Sequence, residues 1–346
     1  IMDTWKKLVP IRRIGRIAAA GLLVALALDA TAQTPPDYPA VPGIVDVSSR
    51  GWPREVETTE GVVSLEAPPQ RILALSLGHD EMLLALVPRD RFAGVGPFTA
   101  DPTYSNVADQ VAGMHTVKRG VENVLAARPD IVVVSRYTKA DLVALIKEAG
   151  VPVVRSALES SAAGNIPNIL LLGYLLGVEE RALELVTEIE RRLAVVTGRA
   201  PAPGDPSRPA VLAIARWSET IFAAGAGSTE GGIIEAAGGV NAASRDGILS
   251  HQSVSMESIA AMNPDVILIT QPADSGGTDL RDDLLGARAL AEVPAIANER
   301  VMVADPRHYT TLSHWNVRGI EETARLLYPE RFRDVTFSDF EPYGGS

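Results

Sequence analysis

VEERALELVTEIERRLAVVTGR, residues 178–199, follows Gly177 near the middle of the chain. Apolar residues recur at Val178, Ala182, Leu185, Ile189, Leu193 and Val196, in steps of three and four. Glu179, Glu180, Arg181, Glu188 and Arg192 take the other faces. The spacing predicts an amphipathic helix of about 20 residues, roughly 30 Å long, enough to span a small domain. The sequence repeats on either side of it. Glu122-Asn-Val-Leu-Ala-Ala-Arg-Pro-Asp-Ile-Val-Val-Val-Ser135 stands before it, and Glu257-Ser-Ile-Ala-Ala-Met-Asn-Pro-Asp-Val-Ile-Leu-Ile-Thr270 after it, aligned without a gap. Each copy reads as an acid, a short helix, a Pro-Asp turn and a continuous apolar strand. Two copies so far apart do not make a solenoid. They predict two similar lobes joined by one rigid helix.

Composition bounds the rest. The 346 residues are enough for two ordinary domains, and 46% hydrophobic against 22% charged residues indicates large cores. Lys6, Lys7, Arg12, Arg13 and Arg16 precede an apolar run from Ile17 to Leu28, and Ala30-Thr31-Ala32 follows as a small-x-small site. That order predicts a secretory signal peptide over 1–32, cleaved after Ala32, with an apolar run too short to span a bilayer. Without residues 1–32, 27 Lys+Arg face 41 Asp+Glu, an acidic balance that repels nucleic acid. The chain has no Cys, which excludes disulfides, thiolate metal sites, cysteine nucleophiles and a lipidated N-terminal Cys.

The expected division is 1–32 signal, 33–54 flexible leader, 55–177 N-terminal α/β lobe, 178–199 connecting helix, 200–209 linker, 210–331 C-terminal α/β lobe and 332–346 tail. The leader and the linker APAPGDPSRP are rich in Pro and polar residues. A hairpin is expected over 55–66. Strands are expected at 71–76, 92–96, 130–135 and 151–155 in the first lobe, and at 210–215, 221–224, 265–270 and 300–304 in the second. Helices fall between most of them, which predicts α/β, Rossmann-like lobes with parallel-type sheets covered on both faces.

Ligands of open parallel sheets bind beyond the carboxyl ends of the strands. The residues expected there are His79, Phe98, Tyr104, Arg136 and Tyr137 in the first lobe. In the second they are Arg216, Trp217, Gln271, Arg307, His308 and Tyr309. Three arginines and several aromatics suit a large, partly apolar, anionic ligand in a cleft between the lobes. The five histidines form no His-x-x-x-His or His-Glu-x-x-His pair, and no Gly-x-Ser-x-Gly elbow is present. Neither a metal, a cofactor nor catalysis is expected. Glu122 and Glu257 each open a repeated helix, where an acid complements the macrodipole. At matching places on two lobes they also make two points of contact for a basic partner.

The segment from about Gly61 to Phe332 resembles the helical-backbone periplasmic binding proteins that deliver cobalamin, ferric siderophores or haem to ABC importers. The resemblance is carried by Pro69-Gln-Arg-Ile-Leu-Ala-Leu-Ser76, the paired Glu…Pro-Asp repeats, Gly150-Val-Pro-Val153, Ala224-Gly-Ala-Gly-Ser228, Gly238-Gly-Val-Asn241 and Leu290-Ala-Glu-Val-Pro-Ala295. It implies a periplasmic, monomeric protein that takes an iron chelate or a corrinoid into the interlobe cleft. It also implies that Glu122 and Glu257 meet arginines of a membrane permease dimer. A sensor that binds the same ligand without transport is the competing expectation.

Overall fold

Both copies of the Pro-Asp repeat fold alike, and for the same reason. In the computed structural model, which describes residues 37–344, Arg128 and Asn263 take left-handed φ values of 50° and 44° just before Pro129 and Pro264. The next residue pins the neighbouring strand. Asp130 Oδ2 accepts from the backbone N–H groups of Gln70 and Arg71 at 2.6 and 3.0 Å, and Asp265 Oδ2 from that of Ala210 at 2.7 Å. Each Asp thereby sets the register of a parallel pair that no hairpin could set. The expected signal over 1–32 and the first residues of the leader lie outside the described residues.

A hairpin of β1 (Arg54–Thr58) and β2 (Gly61–Leu65) precedes the first sheet. Then come β3 (Ile72–Ala74), α1 (Leu77–Leu86), α2 (Val121–Ala126), β4 (Ile131–Val134), α3 (Ala140–Glu148) and β5 (Val153–Arg155). The sheet order is β3-β4-β5, all parallel. Residues 92–96, expected as a strand, make only single bridges, Ile72 to Phe92 and Val95 to Thr116.

Helices α4 (Ile166–Leu176) and α5 (Glu179–Thr197) follow, separated by Gly177 in the left-handed region at φ 72°. Residues 37–53, expected as leader, lie against this pair: Tyr38 and Val41 are buried, and the Tyr38 hydroxyl donates to Leu170 O. The Arg54 guanidinium stacks on the Trp52 and Tyr174 rings and pairs with Glu179 at 2.7 Å.

The second sheet uses β6 (Ala210–Trp217), β7 (Thr220–Ala224), β8 (Val240–Asn241), β9 (His251–Val254), β10 (Val266–Ile269) and β11 (Val301–Val303). Its order is β11-β10-β6-β7-β9, with β8 beside the start of β6. Around it lie α6 (Thr229–Ala236), α7 (Ala242–Arg245), α8 (Met256–Met262), α9 (Gly277–Gly286), α10 (Pro294–Ala297), α11 (Pro306–Tyr309) and α12 (Asn316–Leu327). This sheet is mixed, not parallel throughout. Trp217 pairs with Thr220 across the two-residue turn Ser218-Glu219, and a connection that short can only return antiparallel.

Strand alternation divides the core. Ile72, Ala74, Ile131 and Val133 of the first sheet and Val211, Ala213, Val266 and Leu268 of the second belong to one contiguous cluster running through α4, α5 and α12. Their neighbours Leu73, Val132 and Val134, and Leu212, Ile214, Ile267 and Ile269, face two separate outer clusters. The tail joins the inner cluster through Phe332 and Phe340, with the Arg192 guanidinium 4.1 Å from the Phe340 ring centre.

Candidate functional site

Three aromatic side chains stand unusually far into solvent for their size, two at strand ends and one just past an isolated bridge. Phe98 is 58% exposed, Tyr137 69% and Trp217 81%. Phe98 lies just beyond the Val95 bridge, Tyr137 beyond β4, and Trp217 at the tip of β6. Leaving so much aromatic surface in water forgoes burial energy, so such residues mark binding surfaces more often than chance. Phe98 meets Tyr104 edge-to-face with ring centres 6.4 Å apart, and Arg136 stacks on Tyr137 at 5.5 Å.

Each expected arginine is already held by a carboxylate. Arg136 lies 3.4 Å from Glu159, Arg216 2.5 Å from Asp283, and Arg307 2.6 Å from Asp305. Gln271 accepts from the Arg216 backbone N–H at 2.6 Å and donates to Ser275 O at 3.0 Å. Burial pushes Asp305 up, yet its bonds to Arg307 outweigh that and hold the carboxyl below the usual range. The pairs orient the guanidinium groups and offset part of their charge.

The remaining expected residues turn inward. His79 is fully buried, its Nδ1 2.8 Å from Ser76 Oγ, and burial lowers its pKa to about 3. His308 stacks on Trp315 and bonds Glu322 at 2.9 Å. Tyr309 is 3% exposed, its hydroxyl 2.8 Å from Thr323 Oγ1. The one-turn helix α11 sends these two side chains against α12 instead of toward the strand ends.

Two acids missing from the expected set organise the site. Asp80 and Glu81 are fully buried on α1. Asp80 Oδ2 accepts from Gly96 N–H at 3.1 Å and the Thr99 hydroxyl at 2.6 Å, on either side of Phe98. Burial raises Asp80 to about 7. Glu81 Oε1 accepts from the Asn106 backbone and side-chain N–H groups at 3.0 and 2.8 Å, and Oε2 from the Thr311 and Ser313 hydroxyls at 2.5 Å each. Burial raises its pKa despite these bonds. Asn106 Nδ2 also donates to Arg307 O at 2.9 Å, joining the aromatic loop of one lobe to the arginine segment of the other. The signal was present in the sequence: His79-Asp80-Glu81 sits in a short helix of otherwise apolar residues, where three consecutive polar side chains cannot all reach solvent. Among the described residues, no three His, Asp or Glu side chains gather in a way that could hold a metal ion.

Glu122 and Glu257 are exposed, at the first turns of α2 and α8, and neither has an ion-pair partner among the described residues. A hydrogen bond from the Ser255 hydroxyl holds Glu257 below the usual carboxylate range. The carboxyl ends of these helices lie near the amino ends of the sheets, since Arg71 bonds Ala127 O and Asp265, just past α8, bonds the Ala210 N–H. The first turns of both helices, and the two acids on them, therefore face the edge that carries the aromatic loops.

This geometry agrees with what the chain is similar to. Residues 72–308 match the family described as periplasmic binding protein. This chain belongs to that family. It is a substrate-binding protein of the kind that serves ABC transporters. It is 24% identical over 275 residues to an uncharacterized ABC transporter substrate-binding lipoprotein, YvrC, of Bacillus subtilis, covering 79% of this chain and 84% of the relative. A cobalamin-binding protein of Halobacterium salinarum is 28% identical over 319 residues, covering 90% and 84%. The periplasmic heme-binding protein RhuT from Roseiflexus sp. RS-1, in apo form, shares the fold with a TM-score of 0.66 at 24% identity, over 76% of this chain and 99% of that one.

Proposed function

We propose that this protein works in the periplasm, where it captures a large metal chelate, a corrinoid or an iron chelate, between the strand-end loops of its two lobes and hands it to the permease of an ABC importer. The observation that carries the reading is the set of exposed aromatics, Tyr137 and Trp217 at the carboxyl ends of strands in the two lobes and Phe98 just past the Val95 bridge. Flat aromatic faces bind broad, partly apolar ligands, and family membership supplies the delivery role. The ion-paired state of Arg136, Arg216 and Arg307 favours a ligand with little net charge. That ranks a corrinoid ahead of a multiply anionic ferric catecholate, whose charge calls for unpaired cations. The similarity to a cobalamin-binding relative points the same way. Glu122 and Glu257 serve as the two permease contacts.

Absorption and tryptophan-fluorescence titrations with cyanocobalamin, haemin and a ferric catecholate test this. Saturable one-to-one binding of cyanocobalamin is expected, with the catecholate weakest. Trp217→Ala should weaken binding by about 1–3 kcal/mol at unchanged melting temperature, because the side chain is 81% exposed and supports no core. If none of the three chelates saturates, the reading is wrong.

A further inference from the structure

We propose that Glu81 is a positioning residue for the cleft, fastening the aromatic loop of one lobe to the arginine segment of the other so that the distance between the walls is set before a ligand arrives. The inference rests on the strand-end reading of the binding site.

The carboxylate is fully buried and sits on α1, at the back of the first lobe's strand ends. Its four donors come from two separate parts of the chain. Asn106, two residues past Tyr104, supplies two, while Thr311 and Ser313, just past Arg307, supply the others. A buried carboxylate left short of donors is costly, so parting the two segments would strand it. Asn106 extends the link directly, because the side-chain nitrogen that donates to Glu81 also donates to Arg307 O at 2.9 Å. The loop is anchored a second time by Asp80 at Gly96 and Thr99, so Phe98 and Tyr104 lie between two points, Gly96 and Asn106, tied to one helix. Both anchors share the same short helix, so the bonds act together.

The chain lacks Cys, so two introduced cysteines can carry spin labels without background. Ala144→Cys and Ala289→Cys place one exposed label on each lobe. Distance distributions in the absence of ligand are compared for this pair alone and with Glu81→Gln, Glu81→Leu or Asn106→Ala added. A narrow distribution is expected for the parent and for Glu81→Gln, whose amide oxygen can serve Asn106 while the hydroxyls turn to accept from its nitrogen. Asn106→Ala and Glu81→Leu should broaden it, and cyanocobalamin affinity should fall by about tenfold in both, the scale of one lost hydrogen bond. Asn106 is only partly buried, so its variant decides the matter if Glu81→Leu does not fold. Distributions as narrow as the parent's in both variants overturn the fastening. Broadening with unchanged affinity overturns the positioning role. A parent that binds none of the three chelates defeats the proposed function instead, and the label distances still decide the fastening.

Discussion

His314 shows how much one buried side chain decides. Among the described residues neither ring nitrogen has a hydrogen-bond partner, and the imidazole lies between Trp315 and Phe340 with ring centres 5.8 and 4.7 Å away. Burial first, then the charges of Arg192 and Arg181, lower its pKa from 6.5 to about 3. The folded protein therefore keeps this ring neutral where the unfolded chain protonates it. The stability it supports is complete above pH 6.5 and is lost as pH falls toward 3, by up to about 1.4 kcal/mol per pH unit. Asp80 works in the opposite sense. Raised from 3.8 to about 7, it binds a proton on folding in that window, so its contribution grows as pH falls through it. Because the two oppose each other, the useful comparison is between variants. In urea titrations at pH 7 and pH 5, His314→Leu should lose less stability on acidification than the parent. An equal loss in both would mean the ring does not titrate as its burial demands. Asp80 and Glu81 escape a first reading of the sequence because carboxylates usually mark a solvated face; only their position in an apolar helix betrays them.

At the scale of elements, the connecting helix α5 is held to the second lobe by a charge pair as well as by its apolar stripe. Arg192 makes two bonds to Glu321 on α12, at 2.7 and 2.6 Å, with both side chains buried, and donates to Ser338 O of the tail. Arg192→Ala should cost about 3 kcal/mol, since it leaves a buried carboxylate with Arg318 as its remaining cation. Arg192→Met with Glu321→Leu should recover much of that loss, and chemical denaturation of the three proteins measures it. A double variant less stable than Arg192→Ala would refute the pair's role. The same helix was legible from its spacing, as were the strands IVVV and VILI, because a fully apolar run followed by a helical period has few other folds. Strand β9, His251-Gln-Ser-Val254, was not, since an exposed edge strand needs no apolar face. The tail was not either: Phe332 and Phe340 are buried, but two aromatics eight residues apart make no period. Among the candidate site residues, the arginines came through as types at strand ends while their acidic partners, brought in from other segments, did not.

Across the whole molecule, one inner core spans both sheets, with Val133 and Leu268 in the same apolar cluster. A wide swing of the lobes would open that core, so closure on binding should be small. Small-angle scattering with and without ligand should show little change in radius of gyration, and a large drop would contradict the shared core. A rigid body of this kind offers a partner two points at fixed spacing. Glu122 and Glu257 stand exposed and unpaired by any cation among the described residues, each on the first turn of a helix that points toward the aromatic edge. Two such acids on matching lobes can engage both halves of a two-fold permease and turn the ligand-bearing edge toward the membrane. The competing account gives each acid only its own helix N-terminus to favour, worth about 0.3–1 kcal/mol. Changing both to Gln removes the charges and keeps the shape, which separates the accounts. Ligand affinity and melting temperature should hardly move, whereas permease binding and uptake should fall sharply, and further than with either change alone. The loss should also shrink at high salt, where the parent is weakened too. If the double variant supports uptake at the parent rate, the acids do not dock.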